Sequence, residues 1–212
     1  AGVAGHTFQV LTKRAERMRI VVADPMFRAA VAGAMMALAE EFPGLRSTKG
    51  SWPASMSHEV ARGTPAVWPL PGVWLGVSVE DQAAADERIP HLLQTPAAVR
   101  WISAEPLLGP LDIEHHLATR PDFDIERLDW VVVGGESGPG ARVCDRRWIY
   151  NIMLQCEGAE VPIFVKQLGA KSCIDGVVGA AGDLMMKLKN KKGGDMAEWP
   201  DQLRVRQFPR PK

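Results

Sequence analysis

The chain has 212 residues, with 25 Lys and Arg against 25 Asp and Glu and a formal charge of zero. That length allows one sizeable core and falls short of two typical domains, and the balanced charge gives no bulk electrostatic case for nucleic acid. Three cysteines, no secretory apolar segment and no apolar run long enough to span a bilayer point to a cytoplasmic, reducing-compartment protein.

Phe8–Thr12 is an apolar run that leads into Lys13 and Arg14, and reads as a first strand. Residues 15–22 follow as a short helix with Arg17 and Arg19 around Met18 and Ile20. Pro25 suits a helix start, because its ring fixes the dihedral that a first turn needs. Residues 26–42, rich in alanine and methionine, are the clearest helix in the chain, with Met35 and Met36 as core filler. Residues 43–71 hold prolines, glycines and serines without a period and read as a loop or lid. His58 and Glu59 within it lack the further ligands a metal would need.

The second strand-like run, 73–77, leads into Ser78, Val79, Glu80 and Asp81. Residues 81–93 form a helix whose acidic start complements the dipole, with Pro90 expected to kink or end it. The third run, 99–103, leads into Ala104, Glu105 and Pro106. Residues 111–118 read as a short helical stretch. Its adjacent His115 and His116 point in different directions and make a poor two-ligand metal site.

The stretch 129–142, DWVVVGGESGPGAR, organises the rest. Its apolar run 130–133 stops at Gly134, Gly135, Glu136 and Ser137, the pattern of a strand buried on both faces. Glycines then surround one carboxylate and one hydroxyl, and glycine lets the backbone approach a ligand closely. The register fails for GxSxG, so a serine hydrolase is not expected. Residues 145–157 form an amphipathic helix with Asp145 in its first turn. Trp148, Ile149, Ile152, Met153 and Cys156 line its buried face. A fifth run, 161–165, leads into Lys166 and Gln167. Beyond Gly169 the pattern loosens. Lys187, Lys189, Lys191 and Lys192 read as a solvated loop, Gly193-Gly194-Asp195 as a turn, and Trp199-Pro200 as part of a tail laid across the fold.

Alternating strands and helices imply a parallel sheet, and charges gathered at strand ends fit a barrel mouth. The expected fold is α/β, an incomplete (β/α) TIM-like barrel of parallel strands over residues 1–170, with 43–71 as an insertion and 171–212 as a C-terminal extension packed on it. An open doubly wound sheet is the alternative, since periodicity does not show closure. The mouth would collect Lys13, Arg14, Ser78, Glu80, Asp81, Glu105, Glu136, Ser137, Lys166 and Gln167. Carboxylates and cations together support acid–base chemistry or hold a zwitterionic ligand. A structural ion pair from Lys166 to Glu136 or Glu105 is the plainer alternative. The cysteine spacing matches no zinc or cluster motif, and neither GxxxxGK[ST] nor HExxH occurs.

The blocks HTFQVLTKRAERM, GVWLGVSVEDQ, VRWISAEPLLGPLDI, DWVVVGGESGPGAR, VPIFVKQLG and KGGDMAEWPDQLRVRQFP resemble a bacteriophage and prophage protein family. That family is similar to radical S-adenosylmethionine barrels, spore photoproduct lyase among them. The resemblance implies S-adenosylmethionine and a [4Fe–4S] cluster as cofactors, the cluster held by three close cysteines on a loop this sequence does not contain. It places Ser78 and Glu80 against the cofactor ribose, and Glu105 and the Gly134-Gly135-Glu136-Ser137 loop near cofactor and substrate. Lys13 and Lys166 join Glu105 and Glu136 as the candidate catalytic set.

Three readings follow: the C-terminal part of a radical enzyme whose cluster loop lies outside this sequence, a non-catalytic truncated binding protein, and a cluster-free barrel using Glu105, Glu136 and Lys166 for acid–base work. The substrate is unassigned. Nucleic acid fits the resemblance but draws no support from net charge, and no membrane partner is expected. An incomplete barrel would leave the first strand as an open edge prone to self-association.

Overall fold

The computed structural model describes residues 6–41, 68–118, 126–174 and 185–209. The elements are β1 (Phe8–Thr12), α1 (Ala15–Ala23), α2 (Pro25–Glu41), β2 (Val73–Ser78), α3 (Gln82–Leu93), β3 (Val99–Ala104), α4 (Glu114–Leu117), β4 (Trp130–Gly134), β5 (Cys144–Asp145), α5 (Arg146–Gly158), β6 (Ile163–Gln167) and β7 (Ser172–Cys173). The chain is mixed α/β, with a five-stranded sheet in the order β1-β2-β3-β4-β6 and every pair parallel. β5 and β7 form a separate small parallel pair. No single helix among the described residues is long and apolar enough to cross a membrane.

Successive strand residues face opposite sides, and this chain uses the two sides differently. Leu75, Val77, Ile102, Val131, Val133 and Val165 pack with Ile89 and Leu92 of α3 and Ile149 and Ile152 of α5 in the main core. Each fully buried Ile or Leu there contributes about 1.5–3 kcal/mol. The other side holds Trp74, Trp101 and Trp130 with Phe164. The Trp130 ring lies 5.9 Å from Trp74 and 5.5 Å from Trp101. This layer needs Gly76, since a Cβ there would collide with the Trp101 indole.

Asp81 and Asp145 cap the helices that follow β2 and β5. Asp81 accepts from the Ala84 amide at 2.9 Å and Asp145 from the Arg147 amide at 2.9 Å, which satisfies amides that a first turn leaves open. On α5, Ile149, Ile152 and Cys156 are buried and Trp148 and Met153 pack partly against the core, as the helical period indicates.

Several expectations need correction. Pro90 does not end α3, which runs on to Leu93, because buried Ile89 and Leu92 hold the last turn against the sheet. Residues 111–113 are not helical, and α4 spans only Glu114–Leu117. His115 is exposed and His116 buried, and their rings meet at a tilt of 42° with centroids 3.7 Å apart. The fifth strand starts at Ile163, as Val161 donates its amide to Cys156 and the Pro162 carbonyl accepts from Val131. His58, Glu59 and most of the 43–71 stretch lie outside the described residues.

The two sheet edges differ. Along β6, the Val165 amide donates to the Val205 carbonyl and the Gln207 amide to the Ile163 carbonyl, so the tail lies against that edge. The Trp130 indole N–H also donates to the Gln207 carbonyl at 2.9 Å. At the other margin, β1 leaves Phe8, Val10 and Leu11 exposed.

Candidate functional site

Because the strands are parallel, their carboxyl ends lie along one margin, the usual place for ligands in α/β folds. Ser78 and Ser103 pair in register there, both buried. Beyond them come charged groups. Lys13 follows β1 and Glu80 follows β2, and Lys13 Nζ stands 2.7 Å from Glu80 Oε1. From α3, Arg88 reaches Glu80 Oε2 at 3.0 Å and the Ser78 carbonyl at 2.7 Å. Desolvation pushes the Glu80 carboxyl up, but Lys13 and Arg88 together outweigh it and hold the group below its ordinary range.

Glu105 follows β3, and its Oε2 accepts from Lys166 Nζ of β6 at 3.0 Å. Gly134, at the end of β4, leaves the space this carboxylate fills: a Cβ there would lie 2.8 Å from Glu105 Oε1 and 2.9 Å from the Gln167 carbonyl oxygen. Gly135 is equally tight, since its Cβ would run into the Leu168 carbonyl. Gly169 takes φ +87° in the left-handed region, with Gly135 and the Glu136 carbonyl packed against it. The Gln167 side-chain amide donates to the Gly135 carbonyl at 2.9 Å. Glycine in this loop therefore serves close packing between the ends of β4 and β6.

Glu136 has a different partner. Both its oxygens bind the Arg142 guanidinium, at 2.8 and 3.1 Å, and Oε2 also accepts the Arg142 amide at 2.9 Å. The hydrogen bonds from Arg142 hold its carboxyl down at about 2. The same pair raises Arg142, with a smaller contribution from Glu80, so the clamp lies within electrostatic reach of the Lys13–Glu80–Arg88 group. Ser137 is exposed on the loop, Arg14 is exposed beyond β1, and Asp81 is occupied as a helix cap.

Of the expected residues, the structure thus joins Lys13 with Glu80, and Glu105 with Lys166 across Gly134. Glu136 is tied to Arg142 instead of Lys166. Arg88 and Arg142 were not singled out from the sequence. Arg88 sits two turns into α3, inside an amphipathic pattern that explains it without a site. Arg142 lies six residues beyond Glu136, across a Gly-Pro-Gly turn that folds the chain back. Another groove, of about 960 Å³, lies at the amino ends of β4 and β6 beside Asp129, Pro162 and Ile163. That end of a parallel sheet serves stability more often than ligands, so the charged margin remains the better candidate.

The chain belongs to the family described as Protein of unknown function (DUF5131), whose model matches residues 2–201. No curated protein matches it. No solved structure matches it either.

Proposed function

We propose that the carboxyl margin of the sheet binds S-adenosylmethionine or a closely related zwitterion, on a (β/α) barrel of which these strands form part. The observation that carries this reading is the Glu105–Lys166 pair, 3.0 Å apart, with the lysine side chain 57% exposed and the glutamate 13%. Solvent screens the pair on its lysine side, and a ligand bearing both charges would offer each partner a counter-charge in return. Its α-carboxylate would meet Lys166 and its ammonium or sulfonium Glu105. Glu80 supports the same reading. Lys13, whose side chain is 64% exposed, pairs with Oε1 at 2.7 Å, and a ribose hydroxyl would reach that oxygen by displacing the lysine.

The cluster implied by the family resemblance does not fit the described residues. Cys144, Cys156 and Cys173 are buried, and burial pushes the thiols of Cys144 and Cys156 up to about 12, away from the thiolates that iron requires. Among the described residues no group of three or more His, Cys, Asp or Glu could hold a metal. An acid–base role for Glu136 has less support, because Arg142 keeps it ionised and engaged.

Isothermal titration with S-adenosylmethionine tests the proposal. Saturable binding, weakened about tenfold or more by Glu105→Gln or Lys166→Met, is the expected result, since each removes one charge contact worth about 1.5–3 kcal/mol. Absence of saturable heat, or binding indifferent to both substitutions, sinks it.

A further inference from the structure

Between β7 and the turn Met196–Glu198, the chain carries Lys187, Lys189, Lys191 and Lys192, four cations in six residues. All four are exposed. A run of this kind on a loose loop is ordinarily just solvated, but here the backbone beneath it is fixed. Glu198 accepts the Lys189 amide at 2.6 Å and the Asn190 amide at 3.3 Å. Asn190 Oδ1 accepts the amides of Lys192 at 3.0 Å and Gly194 at 3.2 Å. The Gly193 carbonyl accepts from the Leu168 amide and, at 2.9 Å, from the Trp199 indole.

The ridge is also placed at the site. Gly193, with φ +65°, sits so close to Gly169 that a Cβ would meet its carbonyl at 2.5 Å, and Gly169 in turn packs on Gly135. The lysines therefore stand beside the loop where β4 ends. On the margin, Lys13, Arg142 and Lys166 reach furthest into solvent, with side chains 64%, 56% and 57% exposed, while their partners Glu80, Glu136 and Glu105 are 11%, 30% and 13% exposed and Arg88 is 17%. A neutral chain thus presents a cationic rim around its candidate site.

We infer that this ridge and rim bind the phosphodiester backbone of a nucleic acid, which makes nucleic acid the substrate class of the site proposed above. The inference rests on that reading for the role of the margin, and on the ridge for the partner. Four lysines on a fixed run suit a partner that carries several phosphates, whereas a single phosphate would leave most of them unused. A membrane surface fits less well. Met186 and Leu188, which alternate with the lysines, pack inward on the core and leave no apolar anchor between the charges.

The test is fluorescence anisotropy of the full chain with a labelled oligonucleotide, single-stranded and duplex, over a salt series. Binding should weaken as salt rises. Substituting Lys187, Lys189, Lys191 and Lys192 together by Gln should lower affinity about tenfold or more, and flatten the single-strand salt slope by roughly 3. No binding at low salt, or binding undiminished in the fourfold variant, overturns the inference. So does lysine-dependent sedimentation with phosphatidylserine vesicles without oligonucleotide binding. Titrating the same variant with S-adenosylmethionine separates the two claims. Retained S-adenosylmethionine binding alongside lost oligonucleotide binding supports the ridge. Ridge-dependent oligonucleotide binding without any S-adenosylmethionine binding refutes only the small-molecule reading.

Discussion

Lys166 holds one oxygen of Glu105 at 3.0 Å, while the other oxygen lies 2.8 Å from where a Cβ on Gly134 would stand. The absence of a side chain at 134 is thus what lets the carboxylate lie beside β4. Gly134→Ala should push Glu105 aside, because the backbone carbonyl on the other flank cannot yield. Overpacking of this kind costs about 1–3 kcal/mol. We expect that loss in denaturant unfolding, with a fall of about tenfold in S-adenosylmethionine affinity. A folded variant with unchanged affinity would show that the position of Glu105 does not matter.

The Glu136–Arg142 clamp predicts a pH response. The folded carboxyl titrates at about 2 against an ordinary 4.5, so its contribution is present above 4.5 and fades as pH falls towards 2. In Arg142→Gln the carboxyl should rise part of the way to its ordinary value, because the amide of residue 142 still donates to it, and carbon-detected NMR of the Glu136 side chain would read that rise directly. A Glu136 that still titrates near 2 in that variant would mean another group holds it.

His116 acts in a different window. Burial first, and then the charge of His115, lower its imidazole from 6.5 to about 4, with Asp86 and Asp112 opposing. The folded state therefore keeps it neutral while the unfolded chain takes up a proton below 6.5. Its contribution is intact above pH 6.5 and is lost as pH falls to about 4. Replacement by Phe should flatten stability across that interval, and an unaltered pH profile would assign the acid sensitivity elsewhere.

Gly76→Ala should be among the more damaging single-methyl changes in the sheet. The new Cβ meets the Trp101 indole, which Trp130 confines from one side. A loss of about 1–3 kcal/mol is expected, accompanied by a shift in tryptophan emission. Wild-type stability would mean that the indole has room to turn.

The cysteines should be inert in the native protein. All three are buried, and burial holds Cys144 and Cys156 near 12. Ellman's reagent at neutral pH should find almost no fast-reacting thiol until denaturant is added, when three should appear. Rapid native labelling would contradict the buried placement.

Strand positions were legible because each is a short apolar run closed by glycine or charge, and β1 and β4 start where those runs start. Burial of β4 on both faces was legible too, but the tryptophan layer on one side of the sheet was not. Trp74, Trp101 and Trp130 lie in three separate strands, and only register reveals them as one layer above Gly76. At the site, strand ends named Glu105 and Lys166 correctly as neighbours-to-be, one of two partners the sequence allowed for the lysine. Choosing between Glu105 and Glu136 required the fold of the 138–142 turn, which delivers Arg142 to Glu136 first. Arg88 was hidden for the same reason: a helix that packs well explains all of its residues until one is seen reaching back to a strand end.

The unequal edges of the sheet set a limit on how copies of this chain could join. Among the described residues, the β6 side is met by residues 205–207, while β1 shows apolar side chains to the outside. Two copies joined β1 to β1 about a twofold axis would cover each other's apolar edge, an isologous contact that uses the same seam on both and is spent at the pair.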